Sequence, residues 1–135
     1  MRGDLNDTGI ERVFLWRHAV IPAFWMALIL WFHAIPGTDL PQPAFFQVFH
    51  LDKLMHLVMF ALLSSSVFIA LGKSGVIRKY KWFAALGLIF YGIGLEFAQD
   101  LWFIERYASV ADMIADGLGV LLGRLAFRAI YGCWN

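Results

Sequence analysis

Four long apolar runs dominate this chain and leave it few ways to fold. They are AVIPAFWMALILWFHAIP (19–36), LMHLVMFALLSSSVFIALG (54–72), WFAALGLIFYGIGLEFA (82–98) and SVADMIADGLGVLLGRLAF (109–127). About 20 helical residues cross a hydrocarbon core, and about 17 are the usual minimum. In lipid every backbone amide needs a partner within its own segment, so runs of this kind are helices. The fourth is the least apolar, because Asp116 and Arg124 shorten its uncharged centre. Only 16% of the 135 residues are charged and 61% are hydrophobic. A soluble domain carries about 25% charged residues, so a water-facing surface could not be covered here.

The expectation is an all-α integral membrane bundle of four transmembrane helices, a single domain over 1–135. No repeat, low-complexity tract or Gly/Ser linker divides it. The first run reads as an uncleaved span, since its leader is of mixed charge and no A-x-A site follows. A net charge of +1 offers nothing to nucleic acid. The lone Cys133 excludes an internal disulfide and a cysteine-rich metal site.

Lysine and arginine sort by segment. Arg2, Arg12 and Arg17 precede the first run, and Lys73, Arg78, Lys79 and Lys81 lie between the second and third. Arg124 and Arg128 end the fourth, whereas Lys53 and Arg106 fall on the other side. The positive-inside rule then makes both termini and the middle loop cytoplasmic. Trp16, Trp82 and Trp134 would mark the inner interface, and Trp31 and Trp102 the outer one.

This topology carries polar residues from distant segments to one depth. Asp52, Lys53 and His56 open the second span at its outer end, and Glu96 and Gln99 close the third. Arg106 follows in a short outer loop, and Asp112 and Asp116 open the fourth span. Asp52 can be read as a helix cap, and Ser109 with Asp112 as a capping box. Asp116 lies a turn too deep for a cap. Glu96 sits near a helix C-terminus, where the dipole opposes its charge. A buried acid there is either paired, with Arg106, Lys53 or protonated His56, or holds its proton, and it faces the bundle interior.

Spacing supports a shared site. Asp52 and His56 are four apart, Glu96 and Gln99 three apart, and Asp112 and Asp116 four apart, each pair on one helix face. Gly92 extends the Glu96 face, and Gly119 and Gly123 continue the Asp112–Asp116 stripe. Small residues allow close helix approach. The stripe predicts the fourth span against the third, with the acids lining a cleft above, and offers these glycine faces for a homo-oligomer. Ser64, Ser65 and Ser66 read as helix-packing polarity, and His33 as an incidental residue at the cleft edge. The apolar 37–51 loop reads as an interfacial segment that roofs the cleft.

At these residues the chain resembles the VanZ-like family, named for a teicoplanin-resistance protein. Asp52-Lys53-Leu54-Met55-His56 fits a D-K-x-x-H element, and Glu96-Phe97-Ala98-Gln99 fits E-x-x-Q. Arg106, Asp112, Asp116, Gly119 and Gly123 fit R-x5-D-x3-N-x2-G-x3-G, with Asp116 where asparagine is usual. The resemblance covers about 52–123. It implies a small multi-pass protein of the bacterial cytoplasmic (inner) membrane, linked through the founding member to glycopeptide antibiotic tolerance. No settled biochemical activity comes with it.

Three functions follow as expectations. The first is a site for an anionic lipid-linked cell-envelope ligand: a polyprenyl phosphate, a cell-wall precursor or a phospholipid headgroup. Asp52, Lys53, His56, Glu96, Gln99, Arg106, Asp112 and Asp116 would line it, with Arg106 and Lys53 holding phosphate. His56, Glu96 and Asp112 are the acid–base candidates. Glu96, Asp112 and Asp116 are the candidate ligands of a divalent, Mg-type cation, since one clustered histidine and no nearby cysteine disfavour zinc. No G-x-S-x-G nucleophile motif is present, so turnover stays open. The alternatives are a structural or regulatory membrane subunit and a small proton-coupled transporter.

Overall fold

A computed structural model describes residues 7–35, 51–102 and 107–132, with side chains in the first stretch from Arg17 onward. Among the described residues there are four α-helices and no strand, as the apolar runs require. They are α1 (Asp7–Ala34), α2 (Leu51–Lys73), α3 (Ile77–Trp102) and α4 (Val110–Tyr131). Helices α2 and α3 are long and apolar enough to cross a membrane. α4 falls short of that composition, because Asp112, Asp116, Arg124 and Arg128 are spread along it. The proposed roof over 37–51 lies almost wholly outside the described residues.

The α2–α3 turn is dictated locally. Gly75 adopts φ 71°, a left-handed conformation that glycine takes without steric cost. It lets the Gly75 amide donate to the Gly72 carbonyl at 3.0 Å and the Val76 amide to the Leu71 carbonyl at 3.1 Å. This pair of bonds is a Schellman stop, and it satisfies carbonyls that the helix end would orphan. α3 restarts at Ile77, so α2 and α3 run antiparallel.

α2 and α4 form the tightest pair, and they run parallel. In order along both helices, Lys53 meets Asp112, His56 meets Asp116, Ser64 meets Val120 and Ser65 meets Gly123. The Gly119–Gly123 stripe therefore packs against α2, which corrects the expectation that it would meet the third helix. A Cβ added at Gly119 would fall 2.5 Å from the Leu57 carbonyl oxygen, and one at Gly123 would fall 2.7 Å from Ser64 Cβ. The backbones are that close because Ala61, Ser64 and Ser65 present small side chains on α2. The two serines then bind the exposed carbonyls of α4: Ser64 Oγ donates to Val120 O at 2.8 Å and Ser65 Oγ to Gly123 O at 3.3 Å. Ser66 donates back to Leu63 O within its own helix at 2.7 Å. The serine run thus serves helix packing, as its position suggested. Gly119 and Gly123 are in contact with α2 inside one chain.

α1 contributes Pro22, Ile29 and His33 to the interior, spaced seven and four residues apart on one face. Tyr91 on α3 ties it in by donating to the Met26 carbonyl at 2.7 Å. Phe60, Leu63, Phe68 and Val120 are essentially fully buried between the helices. The outer faces are apolar too: Phe83 and Phe90 of α3 are 73% and 68% exposed.

Gly123→Leu should lower the thermal stability of purified, lipid-embedded protein by about 1–3 kcal/mol or more through overpacking. Gly117, which has open space around it, should accept alanine within about 0.5 kcal/mol. Equal behaviour of the two variants in a melting assay would overturn the close α2–α4 contact.

Candidate functional site at one end of the bundle

Parallel packing of α2 and α4, with α1 and α3 antiparallel to them, gathers four helix ends at one pole. There His56 Nδ1 donates to Asp116 Oδ1 at 3.0 Å and lies 3.8 Å from Glu96 Oε1. Lys53 Nζ bridges Asp52 at 2.9 Å and Asp112 at 3.2 Å. Residues from 52–56, from Glu96 and from 112–116 thus converge as their spacing predicts. Gln99 is buried one turn beyond Glu96 on the same face of α3. Arg106 lies outside the described residues.

The site is graded by depth. Side-chain exposure falls from 59% at Asp52 and 36% at Lys53 to 14% at Asp112, then to 1% at Asp116 and none at Glu96. A solvent-facing cation therefore stands above two buried acids. One imidazole lies between those acids. A buried charge of this kind persists only when paired and hydrogen-bonded.

Glu96 finds its partner in a way its own helix does not reveal. Ser109 caps α4: its hydroxyl accepts from the Asp112 amide at 3.3 Å, half of the expected capping box. The reciprocal bond comes from another helix, because the Ser109 amide donates to Glu96 Oε2 at 2.9 Å. Glu96 sits toward the C-terminal end of α3 in sequence, yet its carboxylate rests at the N-terminus of α4. There the helix dipole and the unpaired amides favour negative charge.

Gly92 makes room for Asp116. A Cβ at Gly92 would meet Asp116 Oδ2 at 2.8 Å and the Phe60 ring at 3.2 Å. The glycine on the Glu96 face thus clears space for the acid of α4, with Phe60 as the apolar floor. Glu96 Oε1 and Asp116 Oδ2 are buried and have no hydrogen-bond partner among the described residues.

The residue that sequence reasoning set aside is His33. It is buried, and its ring meets that of His56 edge to face, with centroids 4.9 Å apart. Its Nδ1 donates to the Ile29 carbonyl at 2.8 Å. The available signal was that Pro22, Ile29 and His33 share a helical face, which turns the histidine inward at the same pole as His56. Among the described residues, the group able to close around an ion is His33, His56 and Glu96. Of the acids expected to act as metal ligands, Asp112 is turned to Lys53 and Asp116 to His56.

Replacing His56 with alanine removes the basic partner of two buried acids and should cost about 3–5 kcal/mol in thermal unfolding. Lys53→Ala, at a half-exposed pair, should cost less than about 1 kcal/mol. A His56→Ala loss as small as that of Lys53→Ala would mean that the acids do not depend on the imidazole. Comparison of the chain with protein-family models, with curated proteins and with solved structures returns no match.

Proposed function

We propose that this chain is a VanZ-like, four-span protein of the bacterial cytoplasmic membrane, with both termini inside. In this reading its polar pole faces outward and binds the anionic headgroup of a lipid-linked cell-envelope ligand, with an effect on glycopeptide tolerance. The observation that carries the reading is the asymmetry of the bundle. Its flanks are apolar and outward-facing: only 22% of the most apolar stretch of α2 and 39% of that of α3 are buried. A core helix of a water-soluble protein is mostly buried, so these helices call for a lipid surround. One pole gathers Lys53, His56, Glu96, Asp112 and Asp116. The other carries Lys73, Arg78, Lys79, Arg124 and Arg128, with Arg124 stacked 4.1 Å over the Trp82 ring. That is the basic, aromatic signature of a cytoplasmic interface.

Within the bundle α4 has its acids turned inward, which is how a charged helix crosses lipid. Lys53, the exposed cation above the acids, is the first group that an arriving phosphate would meet. Arg106, which precedes α4 in the sequence, would be a second phosphate ligand in this reading. The ligand class is thus a phosphate-bearing lipid, such as a polyprenyl phosphate or a cell-wall precursor on that carrier.

One observation favours a structural or regulatory subunit instead. The Glu96–Ser109 and Lys53–Asp112 bonds tie helices together and need no ligand to do so. No comparable observation favours a proton-coupled transporter, because the buried acids gather at one pole, whereas transporter sites lie near the midplane.

Two measurements test these statements. In cells, with Cys133 replaced, a membrane-impermeant maleimide should label Lys53→Cys without permeabilisation and Lys79→Cys only after it. The reverse pattern would sink the topology. In nanodiscs, polyprenyl phosphate should raise the melting temperature of wild type, and Lys53→Ala or Arg106→Ala should abolish the shift while leaving the protein inserted. A wild type indifferent to the phosphate lipid would favour the structural subunit.

A further inference from the structure

We propose that His33, His56 and Glu96 form a binding site for a first-row transition-metal dication of the Zn²⁺ type. This site goes beyond the headgroup reading and stands on the side-chain cluster alone. The three residues come from α1, α2 and α3, and one ligand atom of each lies within 4.8 Å of the others. A four-coordinate zinc, with bonds of about 2.0–2.1 Å to nitrogen and oxygen, separates its ligand atoms by about 3.3 Å. Closing on an ion therefore asks for movements of about an ångström, within reach of side-chain rotation.

Three independent features point to a metal. The donor set comes first. Two imidazoles and one carboxylate suit zinc, iron, nickel or copper, whereas magnesium and calcium take oxygen. The second is the state of the rings. His33 gives its Nδ1 proton to the Ile29 carbonyl at 2.8 Å, and His56 Nδ1 lies 3.0 Å from Asp116 Oδ1. The His33 bond fixes the tautomer in which Nε2 carries the lone pair, and the His56 ring turns Nδ1 to both buried acids, 3.8 Å from Glu96 Oε1. A histidine that ligates a metal is oriented as His33 is, by a carbonyl or carboxylate on the far ring nitrogen. The third is charge. Glu96 is fully buried, and its Oε1 has no hydrogen-bond partner among the described residues. Asp116 is buried beside it. A dication on Glu96 Oε1 would satisfy that oxygen and offset the excess of acid. Three protein ligands leave one position for water or an anion's oxygen.

The test uses untagged full-length protein in detergent, stripped with chelator and dialysed, with no lipid ligand added. Zn²⁺ should bind at about one ion per chain and raise the melting temperature, and millimolar Mg²⁺ should not displace it. Co²⁺ should develop the visible absorption of a low-coordinate nitrogen–oxygen site. Glu96→Gln and His33→Gln should each weaken Zn²⁺ at least tenfold. Ser65→Ala and Gly117→Ala should bind as wild type does. Folded wild type that takes up no Zn²⁺ at micromolar concentrations overturns the site, as do Glu96→Gln and His33→Gln variants that bind unchanged. Should those variants fail to fold, the wild-type Co²⁺ spectrum decides: its presence supports the site and its absence overturns it. Because no lipid enters the assay, failure here leaves the headgroup reading standing, and the converse holds.

Discussion

The backbone contact between α2 and α4 is the constraint on which the rest of this structure depends. Gly119 and Gly123 let α4 settle onto Leu57, Ala61 and Ser65 with no side chain between the backbones. Contact at that distance depends on small residues, and sliding α4 by one turn would bring Phe127 to the place of Gly123. Once the height of α4 is set, His56 faces Asp116 and Lys53 faces Asp112 without further adjustment. In lipid such packing relies on van der Waals contact and on hydrogen bonds between helices, since the surrounding tails are as apolar as leucine. The Ser64 and Ser65 bonds to α4 carbonyls add to both.

Around that pair the other two helices complete the polar pole. α3 supplies an acid and a gap, Glu96 and Gly92, one turn apart on a single face. α1 supplies His33 and closes the side toward α3 through the Tyr91–Met26 bond. The acids are held by groups of quite different kinds. Asp112 is partly exposed and paired with a lysine, Asp116 is buried against an imidazole, and Glu96 is buried at the head of a neighbouring helix. Three acids in three environments make a graded site, in which the outermost group meets solvent and the innermost meets only protein.

Much of this was legible in the chain itself. Four apolar runs led to helices. The spacing of Asp52 with His56 and of Asp112 with Asp116 placed each pair on one face. Two matters were not legible. The stripe at Gly119 and Gly123 announces close packing but carries no address, and Gly92 on α3 was as good a partner by composition as Ala61 on α2. His33 looked incidental because Pro22 and Ile29, which share its helical face, are apolar like the rest of the run and name no partner for it. Its meaning comes from a ring on another helix, 4.9 Å away.

The sequence by itself determined helix content, the inward-turned polar faces of α2, α3 and α4, and the pole at which ionisable groups collect. Those properties follow from hydrophobic period and charge position, which act within a single segment. Tertiary structure decided which helices touch, and so which group answers each buried charge. Glu96 is the clearest instance: along its own helix its position is unfavourable, and only the arrival of Ser109 from α4 supplies the amide that receives it. Pairing of this kind depends on distances between segments, and no local pattern encodes those.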